Sequence, residues 1–162
     1  MATVELRDLV ADHDRAAVLK LRRAPGQERF LGTMESHFED AEAEPEAKPR
    51  MWSVHHDDDL VGFVMISDNI VVSREDLIGP YYLWRLLIDQ AFQGEGYGAA
   101  TIDAVVEYLR SRPNAEILWT SCGKGEGGPL PFYLHYGFEL VGEVRLDEGE
   151  TEHLLRLNLA DT

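Results

Sequence analysis

Between Tyr81 and Ala99 the chain passes from an apolar run through a glycine-rich turn into an amphipathic segment, and no other stretch restricts the fold as much. Tyr81 to Ile88 is almost continuously apolar apart from Arg85. A strand of that composition needs cover on both faces, which places it in the middle of a sheet flanked by helices. Gly94, Gly96 and Gly98 follow, and then Ile102, Val105, Val106 and Leu109 share one face of a helix predicted over Gly96–Arg112 and stopped by Pro113. The first turn of a helix leaves main-chain N–H groups without partners and carries partial positive charge, so glycines there let a pyrophosphate reach bare amides. Gly94-Glu95-Gly96-Tyr97-Gly98-Ala99 also satisfies the degenerate dinucleotide fingerprint G-x-G-x-x-A. A dinucleotide unit, however, places an acidic residue at the end of the next strand, whereas Glu116 stands at the start of it.

The remaining elements arrange themselves around this centre. Alternation or apolar runs predict strands over Thr3–Asp8, Met51–His55, Leu60–Ser67, Ile117–Cys122, Phe138–Leu146 and Thr151–Leu159. His56-Asp57-Asp58-Asp59 and Asp147-Glu148-Gly149-Glu150 supply the turns of two hairpins. Helices are predicted over Asp12–Leu21, Gln27–Ala41 and Leu130–Tyr136, the last closed by Gly137. The result is an α/β fold with a mixed, largely antiparallel sheet of about seven strands and about four helices. At 162 residues and 44% hydrophobic content, one domain over residues 1–162 is the expectation.

Charge narrows the partners. Thirty acidic residues against 15 Lys plus Arg give a formal charge of −15, which repels nucleic acid and anionic lipid and either favours a cationic partner or serves solubility alone. No apolar run approaches membrane-spanning length, and the first residues lack the blocks of a signal peptide, so a cytoplasmic location is expected. Cys122 is the sole cysteine and reads as a small buried hydrophobe. His55 and His56 point to opposite faces of a strand, which disfavours a metal chelate, and no metal is expected. On the helix predicted over Gln27–Ala41, Glu28, Glu35, Glu39 and Glu42 align opposite the apolar side, either as a solvated face or as an amine-recognition stripe.

Two blocks then carry a resemblance. Gln93-Gly94-Glu95-Gly96-Tyr97-Gly98 resembles the acetyl-CoA signature of the GNAT acetyltransferase superfamily, and Pro129 to Phe138 resembles that superfamily's closing F-Y-x-x-x-G-F motif. Gly26-Gln27-Glu28-Arg29-Phe30 with the acidic segment after it resembles the bacterial spermine/spermidine and diamine acetyltransferase branch. The resemblance implies a sheet splayed near its middle, with acetyl-CoA as co-substrate. The Gln93, Gly94, Glu95, Gly96, Tyr97, Gly98 and Ala99 amides would hold the pyrophosphate, and the Leu86, Leu87 and Ile88 backbone would line the pantetheine arm. It further implies direct attack of a neutral amine on the thioester, an oxyanion held by an N–H of the Leu87–Ile88 region, and Tyr133 as proton donor to the departing thiolate. A polyamine or diamine bound by Glu28 and Glu35 is the implied acceptor, with other amines or a non-catalytic acyl-CoA-binding module as alternatives, and relatives imply a homodimer. Two departures stand out. Gly125-Glu126-Gly127-Gly128 lies where the family often has an Asn, and Tyr82 and Trp84 occupy the strand that in many relatives carries a Glu base. The base is therefore left open among Glu28, Glu35, a histidine and a water relay.

Overall fold

The computed structural model describes residues 2–9, 12–73, 77–145 and 150–161. Seven strands form one sheet in the order β1-β2-β3-β4-β5-β7-β6. They are β1 (Glu5–Asp8), β2 (Pro49–His56), β3 (Asp59–Asp68), β4 (Tyr81–Ile88), β5 (Ile117–Cys122), β6 (Glu139–Arg145) and β7 (Thr151–Asn158). Every pairing is antiparallel except that between β4 and β5. The α-helices among the described residues are α1 (Asp12–Val18), α2 (Met34–Ala43), α3 (Tyr97–Leu109) and α4 (Leu130–Tyr136). The turn expected at residues 147–150 lies, up to residue 149, outside the described residues.

The apolar run of β4 is covered on both faces. Tyr81 and Leu83 join a cluster with Val64, Ile66, Ile102, Val106 and Leu118, on the side of α3 and α4. Leu87 turns the other way, into a cluster with Val18, Phe38, Phe63 and Met65 beneath α1 and α2. Tyr81, Phe63, Met65 and Ile102 are fully buried, which accounts for a strand with so little polar content.

The middle of the sheet carries the feature that matters for function. β4 and β5 pair in parallel only at Tyr82 with Trp119 and Leu83 with Thr120. Beyond that point the two strands separate. The Thr120 hydroxyl donates to the Leu83 carbonyl over 3.0 Å at the end of the seam. On the opposite side of β4, Met65 faces Arg85 while Ile66 faces Leu83, so Trp84 is one residue in excess. A bulge of this kind bends its strand and increases the local twist. β4 is thus turned away from β5 just where the seam stops.

One predicted helix is corrected. Instead of a continuous helix over 27–41, a 3₁₀ turn at Gln27–Arg29 is followed by a break, and α2 begins at Met34. Thr33 caps α2 by accepting from the Ser36 amide over 3.1 Å, and a Cβ at Gly32 would lie 2.5 Å from the Ser36 Oγ. The apolar positions of α2 keep their helical spacing, with Met34, Phe38 and Ala41 buried, but Glu28 no longer shares a helix with Glu35, Glu39 and Glu42.

Candidate active site

A cavity of about 1250 Å³ opens where β4 and β5 separate. That exceeds the few hundred to about 1000 Å³ usual for one small ligand. Its wall combines the exposed edge of β4 at Leu86 and Ile88, the glycine turn, the loop after β5, α4 through Phe132 and Tyr133, and the segment Gln27–Leu31.

The glycine turn is built as a cradle. Asp89 closes β4 and is nearly buried, with its carboxylate accepting from the Arg22 amide over 2.7 Å, the Ala91 amide over 3.0 Å and the Arg22 guanidinium over 3.3 Å. Burial alone would raise its pKa, but the Arg22 and Ala91 amides and then the Arg22 side chain outweigh it and hold the carboxyl below the ordinary range. The Gln93 amide donates to the Ile88 carbonyl over 2.9 Å and to the Gln27 Oε1 over 3.1 Å. Gly94 and Gly96 then take φ values of 81° and 86°, in the left-handed region that a side chain resists. Gly96 is the N-cap of α3, and no side chain caps that end. The amide of Ala100 is the first to bond inside the helix, to the Gly96 carbonyl. The amides of Tyr97, Gly98 and Ala99 precede it, and their three residues line the cavity. Here bare donors, positive helix potential and a surface without Cβ atoms coincide, which fits a pyrophosphate.

The loop after β5 forms the facing wall. A Cβ at either Gly123 or Gly128 would come within 3.0 Å of the Phe30 ring, so glycine at these positions lets the 27–31 segment lie directly on the loop. Gly98 is similarly close to the Phe132 ring, at 3.1 Å from a notional Cβ. Tyr133 is buried between Phe132 and Phe138, with both ring centroids 5.3 Å away. Burial first, and the neighbouring Cys122 second, push the Tyr133 phenol well above its ordinary pKa, so it carries its proton throughout the physiological range. Burial, with Glu152 next, pushes the Cys122 thiol up to about 11, which leaves it a neutral thiol at pH 7 and a poor nucleophile.

The residues singled out in the sequence divide accordingly. Leu86, Ile88, Gln93, Gly94, Gly96, Tyr97, Gly98, Ala99 and Tyr133 stand on one cavity. Leu87 sends its side chain to the opposite cluster, and Glu95 is exposed beside the turn. Glu28 and Glu35 are both exposed and are not brought onto the cavity wall. Among the described residues the carboxylates on that wall are Glu44, Glu150 and Glu152, with Arg29, Arg85 and Lys124 as its cations. Arg85 is engaged by Asp40, by the His37 Nδ1 and by the Trp84 carbonyl. Sequence reasoning passed over Asp89 as a turn-builder, although an Asp directly after an apolar strand is a turn signal. It also passed over Glu152, whose place depends on the pairing of β5 with β7 and has no local signature.

Residues 15–138 match the family described as the acetyltransferase (GNAT) family. The chain belongs to that family. As a GNAT acetyltransferase it is an acyltransferase enzyme, and the two blocks read from the sequence both lie on its cavity. Among curated proteins it is 27% identical over 135 residues to the spermine/spermidine N(1)-acetyltransferase of Bacillus subtilis (strain 168), a match covering 83% of this chain and 88% of that one. Among solved structures it resembles the aminoglycoside acetyltransferase AAC(6')-Ib in complex with coenzyme A, with a TM-score of 0.73 at 16% identity over 98% of this chain and 95% of that one. It also resembles a spermidine N-acetyltransferase SpeG chimera from Vibrio cholerae and hSSAT, with a TM-score of 0.67 at 14% identity over 99% and 98% of the two chains. Among the described residues of this GNAT chain no helix is long and apolar enough to cross a membrane.

Proposed function

We propose that the protein transfers the acetyl group of acetyl-CoA to a primary amine of a small cation, with a polyamine or diamine as the acceptor class. The observation that carries this reading is that the bare amides of α3, the free edge of β4 and Tyr133 share one cavity. Coenzyme A fits that arrangement: the α3 amides and the glycine surface hold a pyrophosphate, and the edge of β4 offers main-chain groups to a pantetheine arm as an added strand does. Bound as its acetyl thioester, it would supply the activated acetyl group. In this reading an N–H of the Leu87–Ile88 main chain donates to the developing oxyanion, and Tyr133 donates its proton to the departing sulfur. The acceptor class rests on the curated Bacillus subtilis relative and on the Glu44, Glu150 and Glu152 carboxylates of the wall, which attract a cation. Glu28 is exposed between two wall residues, Gln27 and Arg29.

The test is release of free thiol from acetyl-CoA with spermidine, spermine, putrescine, an aminoglycoside and a short peptide in parallel. Thiol release with the polyamines is the expected result. Release with another amine alone would replace the acceptor class, and coenzyme A binding without release to any amine would reduce the protein to an acyl-CoA-binding module. In the same assay Tyr133→Phe is expected to lower kcat by about 100-fold while leaving coenzyme A affinity unchanged. An unchanged kcat would remove Tyr133 from the proton-donor role.

A further inference from the structure

An alkylammonium must lose a proton before its nitrogen can attack, and β4 carries Tyr82 and Trp84 where a carboxylate base would be sought. The structure offers another route. Tyr82 is buried on the cavity wall at the first of the two parallel pairs of the seam, and its hydroxyl lies 2.5 Å from the Ser121 Oγ. Ser121 in turn donates to the Glu152 Oε1 over 2.9 Å. Ser121 pairs with Leu154 across β5 and β7, and Glu152, two residues before Leu154, projects from the same face. All three residues line the cavity.

The direction of the chain follows from proton counting. An ionised Glu152 can only accept, so the single Ser121 proton points to it. The Ser121 oxygen then accepts the Tyr82 proton, and the Tyr82 oxygen is left with its lone pairs for a donor in the cavity. Resting on the acetyltransferase reading above, we propose that this chain removes the proton of the acceptor ammonium, with Tyr82 touching the substrate and Glu152 as the terminal acceptor. The ammonium N–H passes its proton to the Tyr82 oxygen, the Tyr82 proton moves to Ser121, and the Ser121 proton moves to the Glu152 carboxylate. One ammonium and one carboxylate become one neutral amine and one carboxylic acid. Glu152 is half-buried and returns the proton to solvent. Burial pushes the Tyr82 phenol up to about 12, so the transfers run together, without a free phenolate.

The test compares wild type with Glu152→Gln and with Ser121→Ala, a small change that cuts the chain without touching either end. Glu152→Gln keeps the size and a hydrogen-bond acceptor but takes no proton. The other charged or titratable groups of the wall among the described residues, Arg29, Arg85, Lys124, Glu44, Glu150, Cys122, Tyr97 and Tyr133, stay in place in both variants. Each variant is expected to lose about 100-fold in kcat/KM for spermidine at pH 7. The loss should be recovered steadily as pH rises towards the ordinary ammonium value of about 10, where the amine arrives already neutral. Methoxyamine, uncharged at pH 7, should be acetylated equally by wild type and both variants. Coenzyme A affinity, read by calorimetry, should not change. A higher KM with an unaltered pH profile would overturn the proposal and make Glu152 a cation-binding group only. An active wild type with equally active variants at pH 7 would also overturn it. A wild type that binds coenzyme A and acetylates none of these amines would remove the acetyltransferase reading itself, and the relay with it.

Discussion

His37 is fully buried, stacked on Phe63 with ring centroids 6.0 Å apart, and accepts from the Arg85 Nε at its Nδ1 over 3.2 Å. The ring is therefore neutral with its proton on Nε2, an atom without a hydrogen-bond partner. Burial first, and then the Arg85 and Arg23 charges, lower its pKa to about 4. The unfolded chain takes up this proton near pH 6.5, before the folded one does. The neutral ring thus contributes stability that is complete above about pH 6.5 and is lost as pH falls towards 4, with an upper limit of roughly 3 kcal/mol. Chemical denaturation at steps between pH 7 and pH 4 should show this loss, and His37→Gln should flatten the slope. An equal slope in the variant would assign it to other groups. Such a residue is hard to read in advance: the sequence shows a histidine between Ser36 and Phe38, and its character comes from Phe63 and Arg85 on the sheet.

At the scale of elements, the turn into α3 concentrates the constraint. Gly96 has a φ of 86° with only the Ala2 Cβ, 3.7 Å from a notional Cβ, nearby, so space is available and backbone conformation is the obstacle. Gly96→Ala is expected to cost about 1–2 kcal/mol in thermal stability, the ordinary penalty of the left-handed region. Relaxation of that strain moves the first amides of α3, so coenzyme A affinity by calorimetry should fall tenfold or more. Unaltered affinity in a folded variant would place the pyrophosphate elsewhere. The turn, β4 and α4 were legible because local pattern decides them: an apolar run, spaced glycines, and Pro129 and Gly137 as boundaries. The helix expected over 27–41 was not, because apolar spacing continues through a break that Gly32 and the Thr33 cap impose. Glu28 and Glu35 were grouped on the strength of that helix, whereas the cavity carboxylates among the described residues are Glu44 after α2, Glu150 just before β7 and Glu152 within it. The place of Glu152 depends on pairing between strands distant in sequence, which composition and spacing do not encode.

For the molecule as a whole, the sheet is two antiparallel ladders joined by a seam of two residue pairs. β2 with β3 runs over eight pairs, from Pro49 with Ser67 to His56 with Asp59. Main-chain protection should differ in the same proportion. Hydrogen exchange is expected to be slowest in β3 and faster at Trp84–Ile88 and at the end of β5, and coenzyme A should slow the latter two selectively. Uniform slowing would contradict a ligand held in the gap. The segment Arg22–Leu31 adds a further link. It is fastened to the turn through Asp89 and Gln93, and it also contributes Gln27, Arg29, Phe30 and Leu31 to the wall. On the proposed function, a change there that reshapes the choice of acceptor is expected also to loosen the grip on the donor. On that reading the two affinities are coupled through one loop, and a variant altered there is expected to change both.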